Sequence, residues 1–490
     1  MSAIRRNPAA AEKPTYDLII IGGGIYGAML SLEAGFRGLR SLLLEKDDFG
    51  GATSYNSLRI VHGGFRYLQS LDLKRFYESV GERRWFLKTF PELVKPLPCL
   101  MPLYGKGAKR PSILAGALSI NDLLSVQRNS GLSKEAHLPR GKLLSTAEVR
   151  SHFPSVDTEG LKGGALWFDA SMSDSQRILM NVLRWATTLG STALNYVKAN
   201  EVLTHKGQVA GVRGQDTLTQ ETYEYRAPIV INACGPWSGK MANSTDLFRP
   251  SLAWNLLFDR PALSNCALAI APKQPKAQTY FLHPWKNRLL AGTIHSPRHH
   301  NTDARPEPSE QQIESFINNL NNTIPNLDLK RSEVVRVLAG ILPVKQTGGV
   351  QLCSQEAIVD SGQNSGVKGF YSIAGVKFTT SRLVADRTLK RVFPNARRQE
   401  VGPPECFLEG RYDYDWWPPA GGDWLLPLRQ IVTDEAVVHL DDLLFRRTSL
   451  ADNPERGLAC SQPVSRMMSE VLNWGKQKQT MELERLQQTI

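Results

Sequence analysis

The segment from Tyr16 to Gly27, which reads YDLIIIGGGIYG, constrains the fold more than any other part of the chain. Residues 18–21 are aliphatic, as in a strand that is buried on both faces, and three glycines follow in the order Gly-x-Gly-x-x-Gly. A second aliphatic run, SLLLE, ends at Glu45. The spacing predicts a strand, a tight turn, a helix over residues 25–35 and a second strand with an acid at its tip. This is the fingerprint of a dinucleotide-binding βαβ unit.

Each residue of the fingerprint has a physical role. Gly22 allows the sharp turn, Gly24 lets the backbone approach a pyrophosphate, and Gly27 lets the helix pack closely on the sheet. The N-terminus of the helix favours the negative charge of the phosphates. Glu45 is placed to accept hydrogen bonds from ribose hydroxyls, and a carboxylate there disfavours a 2′-phosphate, which argues against NADP.

The choice between FAD and NAD depends on a later segment. The chain has 490 residues, more than single-fold NAD enzymes usually have. Residues 227–237, APIVINACGPW, are typical of a buried strand that ends in a turn of small residues. Many flavoproteins carry such a strand late in the chain, where it closes on the same FAD. The alternative is an ordinary strand that ends at a Gly-Pro turn.

Length and composition indicate about three domains with a large core, since 41% of the residues are hydrophobic. No stretch of about 18 apolar residues predicts a transmembrane helix. The N-terminal segment has no apolar core of a secretory signal, and the six cysteines are scattered without metal-type spacing, so we expect reduced thiols, no metal site and a cytoplasmic protein.

The net charge of +12 can reflect binding to nucleic acid, to an anionic membrane surface or to anionic substrates. The sequence contains no nucleic-acid-binding module. The basic residues 106–111 precede an apolar-rich helix candidate, residues 112–126. This helix is too short and too polar to span a membrane. It either lies at the inner face of a membrane as a peripheral contact or is a buried helix of the second domain.

Residues 52–68, ATSYNSLRIVHGGFRYL, closely resemble the block ATSSxSSxLIHGGxRYL of FAD-dependent glycerol-3-phosphate dehydrogenases, which belong to the D-amino-acid-oxidase superfamily. Four further blocks resemble that family in the same order: FDASMSDSQR at 168–177, NACGPW at 232–237, GVKFTTSR at 375–382 and VVHLDDLLFRRT at 437–448. The resemblance implies an α/β fold with a Rossmann-like FAD-binding domain, a β-rich substrate-binding domain and a C-terminal helical domain.

The expected division is a disordered tail at 1–14, an FAD-binding domain at 15–95, 155–245 and 346–398, a substrate or cap domain at 96–154 and 246–345, and a helical domain at 399–490. The resemblance implies that FAD contacts Gly22, Gly24, Ile25, Tyr26, Gly27, Glu45, Lys46, Thr53, Ser54, Ser57, His62, Gly63, Gly64, Val197, Ala233, Gly235, Trp237, Gly375, Lys377, Phe378 and Thr379.

The family's roles also identify candidates on the substrate side. Arg66 and Tyr67 are expected to face the substrate, and Lys377 is expected to stabilise the negative charge of reduced flavin. Alternatively, Arg66 is a structural partner of an acid and Lys377 an exposed surface lysine. His283 and His295 stand where the family has other residues, and each is either a replacement base or a histidine of the pocket rim without a catalytic role.

The chain departs from the family where substrate phosphate is bound. Residues 340–344 read GILPV, with Leu342 at the position of a family arginine, and the second family arginine is missing from AIVD at 357–360. A leucine cannot replace a bidentate guanidinium. A histidine that the family places near residues 254–256 is also absent, although the alignment there is loose.

The sequence therefore predicts an FAD-dependent oxidoreductase that moves a hydride from a carbon bearing a hydroxyl to flavin N5. The expected substrate is a small polyol or sugar-type compound other than plain glycerol 3-phosphate, and an unidentified acceptor, a quinone or oxygen, takes the electrons. Two alternatives stay open: an amine or amino-acid oxidase, and a flavin-binding protein without turnover. The oligomeric state is not predicted.

Overall fold

The computed structural model describes residues 3–68, 70–105, 110–242, 247–272, 278–299, 306–353, 355–364, 366–399, 401–404 and 423–489. The strands are β1 (Leu18–Ile21), β2 (Ser41–Leu44), β3 (Ile60–Val61), β4 (Val94–Pro102), β5 (Lys142–Leu144), β6 (Gly164–Met172), β7 (Thr192–Leu194), β8 (Val197–His205), β9 (Gln208–Asp216), β10 (Thr222–Arg226), β11 (Val230–Asn232), β12 (Pro250–Phe258), β13 (Ala267–Ile270), β14 (Tyr280–Trp285), β15 (Arg288–Pro297), β16 (Val334–Pro343), β17 (Ala357–Asp360) and β18 (Phe370–Ala374). The helices are α1 (Pro8–Glu12), α2 (Ile25–Gly35), α3 (Phe65–Leu68), α4 (Leu73–Thr89), α5 (Pro111–Leu124), α6 (Thr146–His152), α7 (Ser175–Thr188), α8 (Ser238–Met241), α9 (Glu310–Thr323), α10 (Ser361–Asn364), α11 (Ser381–Val392), α12 (Leu425–Asp434), α13 (Leu458–Leu472) and α14 (Lys476–Thr489).

The first sheet carries the fingerprint. Its strand order is β17-β18-β11-β1-β2-β7, and β1 lies between β11 and β2, parallel to both. All four residues of β1 are buried, which explains the uninterrupted aliphatic run. Helix α2 connects β1 to β2 and packs against α7 and α11 in the main hydrophobic core. The predicted strand, turn, helix and second strand are all present, and the predicted fold class is confirmed.

The second large sheet has the order β16-β12-β15-β14-β13-β4-β6-β3, with β5 paired to β6. Its hydrophobic face packs against α9 around Trp254 and Phe316. The sequence prediction placed residues 60–61 and 164–172 in the cofactor-binding unit, but both strands belong to this second sheet. The reason is the hairpin-like pairing of β4 with β6 over their whole length, which the sequence pattern does not reveal.

The predicted disordered tail is wrong for residues 3–14. Ile4 is almost completely buried and donates its backbone N–H to the Asp434 carbonyl at 2.7 Å. Helix α1 is capped by Asn7, and Arg6 pairs with Asp216 at 2.6 Å. A segment that looks polar in sequence is ordered because its few apolar side chains are buried against distant parts of the chain.

Residues 423–489 form most of the described part of the expected C-terminal domain and contain no strand. Helices α12, α13 and α14 surround a separate hydrophobic core that includes Leu428, Leu443, Val464 and Leu486. Between α12 and α13 lies a π-helix over residues 442–447. Within the described ranges, no helix combines the length and the apolar character needed to cross a bilayer.

Candidate active site

The glycine turn after β1 is fixed by close packing of backbone against backbone. Gly22 has φ of +110°, and a Cβ atom there would lie 2.6 Å from the carbonyl oxygen of Ala233. A Cβ atom on Gly27 would overlap the carbonyl oxygen of Gly22. Only glycine fits at these two positions, so the turn after β1 and the start of α2 have the close geometry that a bound pyrophosphate requires.

The N-terminus of α2 is open to an anion. Gly24 precedes the helix and offers no side-chain cap, and Ser54 Oγ accepts a hydrogen bond from the backbone N–H of Ile25 at 2.9 Å. The unpaired N–H groups of a first helical turn, together with the helix dipole, favour negative charge. Ser54 therefore lies at the N-terminus of α2, where the sequence predicts a phosphate, and its contact with FAD stays a prediction.

Glu45 lies at the end of β2 with its carboxylate against the turn. Its Oε2 accepts the N–H of Gly23 at 2.6 Å, and its Oε1 accepts the N–H of Asp47 at 3.0 Å. Burial raises the pKa of Glu45 to about 7, against the lowering effect of these hydrogen bonds. Val197 donates its backbone N–H to the carbonyl of Glu45 at 2.8 Å and so anchors the segment from the other side.

Trp237 and Lys46 lie beside Glu45 on the same edge of the sheet. The ammonium of Lys46 is 5.3 Å from the centre of the Trp237 ring. Gly235 and Trp237 form a short 3-10 helix after β11, and Trp237 Nε1 is buried without a hydrogen-bond partner among the described residues. A buried donor without a partner in the described part of the chain, beside an acid that is expected to bind ribose, fits an adenine nucleotide, so the residues of this edge fit FAD.

Residues 52–64, here called the flavin-side loop, contact the start of α2 through Ser54. Thr53 Oγ1 hydrogen-bonds to Ile341 of β16, and the N–H of Arg59 approaches Ser57 Oγ at 3.4 Å. His62 Nδ1 lies 3.1 Å from Asp169 Oδ2, and Gly63 donates its N–H to the same carboxylate at 2.7 Å.

Two glycines of the flavin-side loop have no room for a side chain. Any side chain on Gly63 would overlap Arg83, and Gly64 has φ of +86°. The loop is thus held against the second large sheet and α4 by contacts that its sequence alone does not show.

The loop after β18 is joined to α2 by one tyrosine. Tyr26 Oη donates to the carbonyl of Lys377 at 2.7 Å and accepts the N–H of the same residue at 3.1 Å. Gly375 lies so close to the Tyr26 ring that a Cβ atom would overlap it. Phe378 and Thr379 continue into a 3-10 turn before α11. These two hydrogen bonds tie the backbone of Lys377 to the first turn of α2.

Lys377, Arg66 and Tyr67 come together although they lie far apart in sequence. The Lys377 ammonium is 4.3 Å from the centre of the Tyr67 ring. Burial, and then the charge of Arg66, lower the pKa of Lys377 to about 8. Neither Lys377 nor Arg66 has a carboxylate partner among the described residues. The two cations therefore lie close together with no acid paired to either in the described part of the chain. A substrate anion or a reduced flavin would supply the negative charge.

His295 belongs to the same electrostatic environment. It lies on β15, and burial followed by the charge of Arg66 lowers its pKa below the usual value, so it is neutral at neutral pH. Its Nδ1 is buried without a hydrogen-bond partner in the described part of the chain, so only the rest of the ring, which is partly exposed, can meet a substrate. His295 therefore remains a candidate base.

His283 is not a base for a bound substrate, which corrects the sequence prediction. It is completely buried on β14, its Nδ1 lies 3.1 Å from the carbonyl of Leu58, and its Nε2 lies 2.9 Å from Ser171 Oγ. Burial lowers its pKa to about 4. Its Nδ1 joins the flavin-side loop to β14 and its Nε2 joins β14 to β6, so both ring nitrogens are used and the role of His283 is structural.

A cavity of about 160 Å³ opens beside Lys377 and Tyr67. On its outer side, Arg387 pairs with Glu356 at 2.7 Å and with Glu78. These three residues are not identifiable from sequence, because nothing in the local pattern distinguishes them from ordinary charged surface residues. Among the described residues, no cluster of three or more His, Cys, Asp or Glu side chains could hold a metal ion.

The family model for FAD dependent oxidoreductases matches residues 17–391. The chain belongs to this family. This FAD-dependent oxidoreductase is 30% identical over 422 residues to a glycerol-3-phosphate dehydrogenase of Synechocystis sp., a match that covers 81% of this chain and 73% of that protein. It is 29% identical over 432 residues to the mitochondrial glycerol-3-phosphate dehydrogenase of Bos taurus, covering 82% of this chain but only 56% of the relative.

A solved structure shares the fold of this oxidoreductase. The glycerol-3-phosphate dehydrogenase from Bacillus halodurans, in complex with FAD, superposes with a TM-score of 0.75 and 22% sequence identity, and the match covers 98% of this chain and 95% of that chain. The resemblance inferred from the five sequence blocks is thereby confirmed. FAD is the cofactor of the family, and the glycine turn, Glu45 and Trp237 described above fit it.

Proposed function

We propose that this oxidoreductase removes a hydride from a carbon that bears a hydroxyl, in a small polyol or sugar-type substrate other than plain glycerol 3-phosphate. The observation that carries the proposal is the convergence of Arg66, Lys377 and His295 from three separate segments. When bound, FAD supplies the hydride acceptor at its N5 atom. The protein supplies charge, orientation and a base.

The two cations bind and orient the substrate. Arg66 is exposed on α3, and Lys377 is held rigidly by the hydrogen bonds between its backbone and Tyr26. Burial lowers the pKa of Lys377 and repulsion by Arg66 adds to that effect, and a polar or anionic group of the substrate between the two cations would offset this repulsion. Binding energy is thus available at a fixed place next to the loop that the family resemblance assigns to the flavin.

His295 accepts the hydroxyl proton as the hydride leaves. Because its Nδ1 is closed off from solvent, the proton is taken up at Nε2. The lowered pKa keeps the ring neutral and ready to accept a proton near pH 7, but makes it a weak base. The partial burial of His295 also limits access of water to this step.

Leu342 supports a substrate that differs from glycerol 3-phosphate. It lies two residues after Gly340 on β16, so both face the same side of the sheet, where Gly340 is packed against Thr53 of the flavin-side loop. The family arginine expected at this position would present a guanidinium to phosphate, whereas leucine presents only apolar surface.

The electron acceptor that we propose is a quinone or oxygen, and α5 supports contact with a membrane surface on the cytoplasmic side. Leu114 and Leu118 are buried, whereas Ile113, Ile120 and Leu123 are exposed, Leu123 by 74%. The helix is therefore neither fully buried nor long enough to span a membrane. An exposed apolar face on an amphipathic helix is suited to the boundary between water and lipid.

The test of the proposed function is anaerobic reduction of bound flavin, followed by its absorbance, with a panel of alcohols, amines and amino acids. We expect an alcohol to bleach the flavin, and His295→Gln to slow that reaction by about 10² to 10³-fold. His299→Gln, which changes an exposed histidine four residues away, is the matched control and should keep the wild-type rate.

Three results would contradict the proposal. Bleaching by amino acids but not by alcohols would identify an amino-acid oxidase, in which Arg66 pairs with the substrate carboxylate. No bleaching with any compound would identify a flavin-binding protein without turnover. Equal rates for His295→Gln and wild type would remove His295 from the reaction.

A further inference from the structure

The C-terminal unit, residues 423–489, contacts the cofactor-binding half through buried charges. Glu435 accepts hydrogen bonds from Arg177 at 2.7 and 2.9 Å and from Arg184 at 3.0 Å, both on α7. Burial alone would raise the pKa of Glu435, but these two guanidinium groups hold it below its usual value. The C-terminal unit is thus attached by groups that are costly to separate once they are buried.

A second buried carboxylate, Asp48, is the point where this unit meets the cofactor site. Arg447 binds Asp48 in a bidentate manner, with both distances 2.7 Å, and Arg446 Nε donates to it at 2.6 Å. Asn195 Nδ2 adds a fourth hydrogen bond at 3.0 Å. Although burial opposes ionisation, the two arginines lower the pKa of Asp48 far below its usual range, so Asp48 is charged at neutral pH.

The two arginines are presented by the π-helix at residues 442–447. The wider turn allows consecutive arginines to reach one carboxylate, and π-helical turns are often found at functional sites. Arg446 also binds Asp441 at 2.8 Å and Asp442 at 2.6 Å, and Tyr196 Oη donates to Asp442 at 2.6 Å. The position of Arg446 is therefore set on every side.

Asp48 lies in the middle of a loop, residues 45–51, that encloses the glycine turn. At one end of this loop, Glu45 accepts the N–H of Gly23, and at the other, Gly50 donates its N–H to the carbonyl of Gly23 at 2.9 Å. Gly23 lies between Gly22, at the sharp turn, and Gly24, which is expected to approach the pyrophosphate. The loop thus transmits the position of Asp48 to both backbone groups of Gly23.

A second connection reaches the flavin-side loop. Asp452 of the C-terminal unit accepts from Arg336 at 2.6 Å and from Lys286 at 3.1 Å. The Arg336 guanidinium lies 4.3 Å from the centre of the Tyr55 ring, and Tyr55 packs against the C-terminal hydrophobic core. The C-terminal unit therefore touches both chain segments that follow the glycine turn.

We propose that the C-terminal unit is a clamp for FAD. Arg446 and Arg447 hold Asp48, and through loop 45–51 they keep Gly23 and Glu45 in the geometry that binds the nucleotide. Because such coupling is reciprocal, FAD binding and docking of the C-terminal unit stabilise each other. Arg446 and Arg447 are positioning residues in this scheme, since neither needs to contact the cofactor. The inference depends on FAD binding and not on the substrate proposed above.

The experiment is a fluorescence titration of apoprotein with FAD, without substrate. We expect Arg446→Gln to raise the Kd for FAD about tenfold or more. Asp48→Asn should have a similar effect. The double variant should bind FAD no more weakly than either single variant, because both substitutions break the same contact between the C-terminal unit and loop 45–51. The matched control is Arg485→Gln, which loses a hydrogen bond to Asp441 in the same cluster but does not contact Asp48, and its Kd should stay within about twofold of wild type.

A wild-type Kd for folded Arg446→Gln would overturn the clamp, as would equal losses in Arg446→Gln and Arg485→Gln. If Arg446→Gln fails to fold, hydrogen exchange of the wild-type protein decides. FAD should slow exchange in residues 442–452 as well as in 22–51, and protection restricted to residues 22–51 would overturn the proposal. Both measurements follow FAD binding alone, so they test the clamp even if the protein oxidises none of the proposed substrates.

Discussion

The cofactor side and the substrate side of this flavin site are built from different parts of the polypeptide. On the cofactor side, backbone atoms set most of the geometry: the N–H and carbonyl of Gly23, and the space left by glycine at positions 22 and 27. On the side that we propose for the substrate, they are the ends of side chains, Arg66 on α3 and His295 on β15. The first side restricts which residues can stand in the sequence, whereas the second leaves the residue type open.

This difference explains how the cofactor turn of the family can be kept while the substrate side changes as we propose. An extra atom in the glycine turn collides with the backbone, which cannot move without disturbing β1 and α2. A change at Leu342 or His295 alters the chemistry of the pocket without altering the course of a strand. A fold can therefore keep its cofactor while its substrate changes.

The largest effect that this comparison predicts is at Gly27. In Gly27→Ala the new methyl group overlaps the carbonyl oxygen of Gly22, so the turn has to open. We expect the purified protein to lose its bound flavin and its free energy of unfolding to fall by about 3 kcal/mol. Flavin absorbance per protein and denaturant unfolding measure the two effects.

Gly81→Ala is the control for this change. Gly81 lies on α4 with no atom within 4 Å of the added methyl group, so the variant should keep its flavin and gain up to about 1 kcal/mol in stability. If Gly27→Ala retained flavin as well as Gly81→Ala does, the steric account of the cofactor side would be wrong.

The same contrast sets what could be predicted from sequence. The strand, turn, helix and Glu45 of the cofactor side follow from short-range patterns, and all are present. His283 and His295 could not be told apart, because the burial of His283 depends on Leu58 and Ser171, which come from distant segments. The order of the N-terminal segment is not predictable for the same reason, since Ile4 contacts Asp434 at the end of α12, which is distant in sequence.

The next effect in size concerns Lys377. A lysine is charged below its pKa, so with a pKa of about 8 it loses its charge as the pH rises through that value. Because the protonated form is the one that stabilises negative charge, we expect kcat/KM to fall above pH 8, and to fall about 10² to 10³-fold at pH 7 in Lys377→Met. A pH profile of flavin reduction measures both.

Lys377→Arg separates charge from shape. Arginine stays protonated throughout this range, so the decline above pH 8 should disappear even if the rate is lower at every pH. On the acid side, the profile should fall only below pH 6.5, as His295 becomes protonated. A decline near pH 8 that persists in Lys377→Arg would assign that titration to another group.

The smallest effect, and the most informative for the substrate, is expected for Leu342→Arg. The side chain shares a face of β16 with Gly340 and is only half-buried, so a guanidinium can be accommodated with modest cost in stability. We expect kcat/KM for glycerol 3-phosphate to rise about tenfold relative to an unphosphorylated polyol, because a charge-assisted contact to phosphate contributes about 1.5 to 3 kcal/mol and part of it is offset by desolvation. Leu342→Met, which keeps the apolar surface, should leave the ratio unchanged. If the wild-type protein already prefers glycerol 3-phosphate and Leu342→Arg adds nothing, the apolar residue is not what sets specificity, and the cations Arg66 and Lys377 suffice to hold the phosphate.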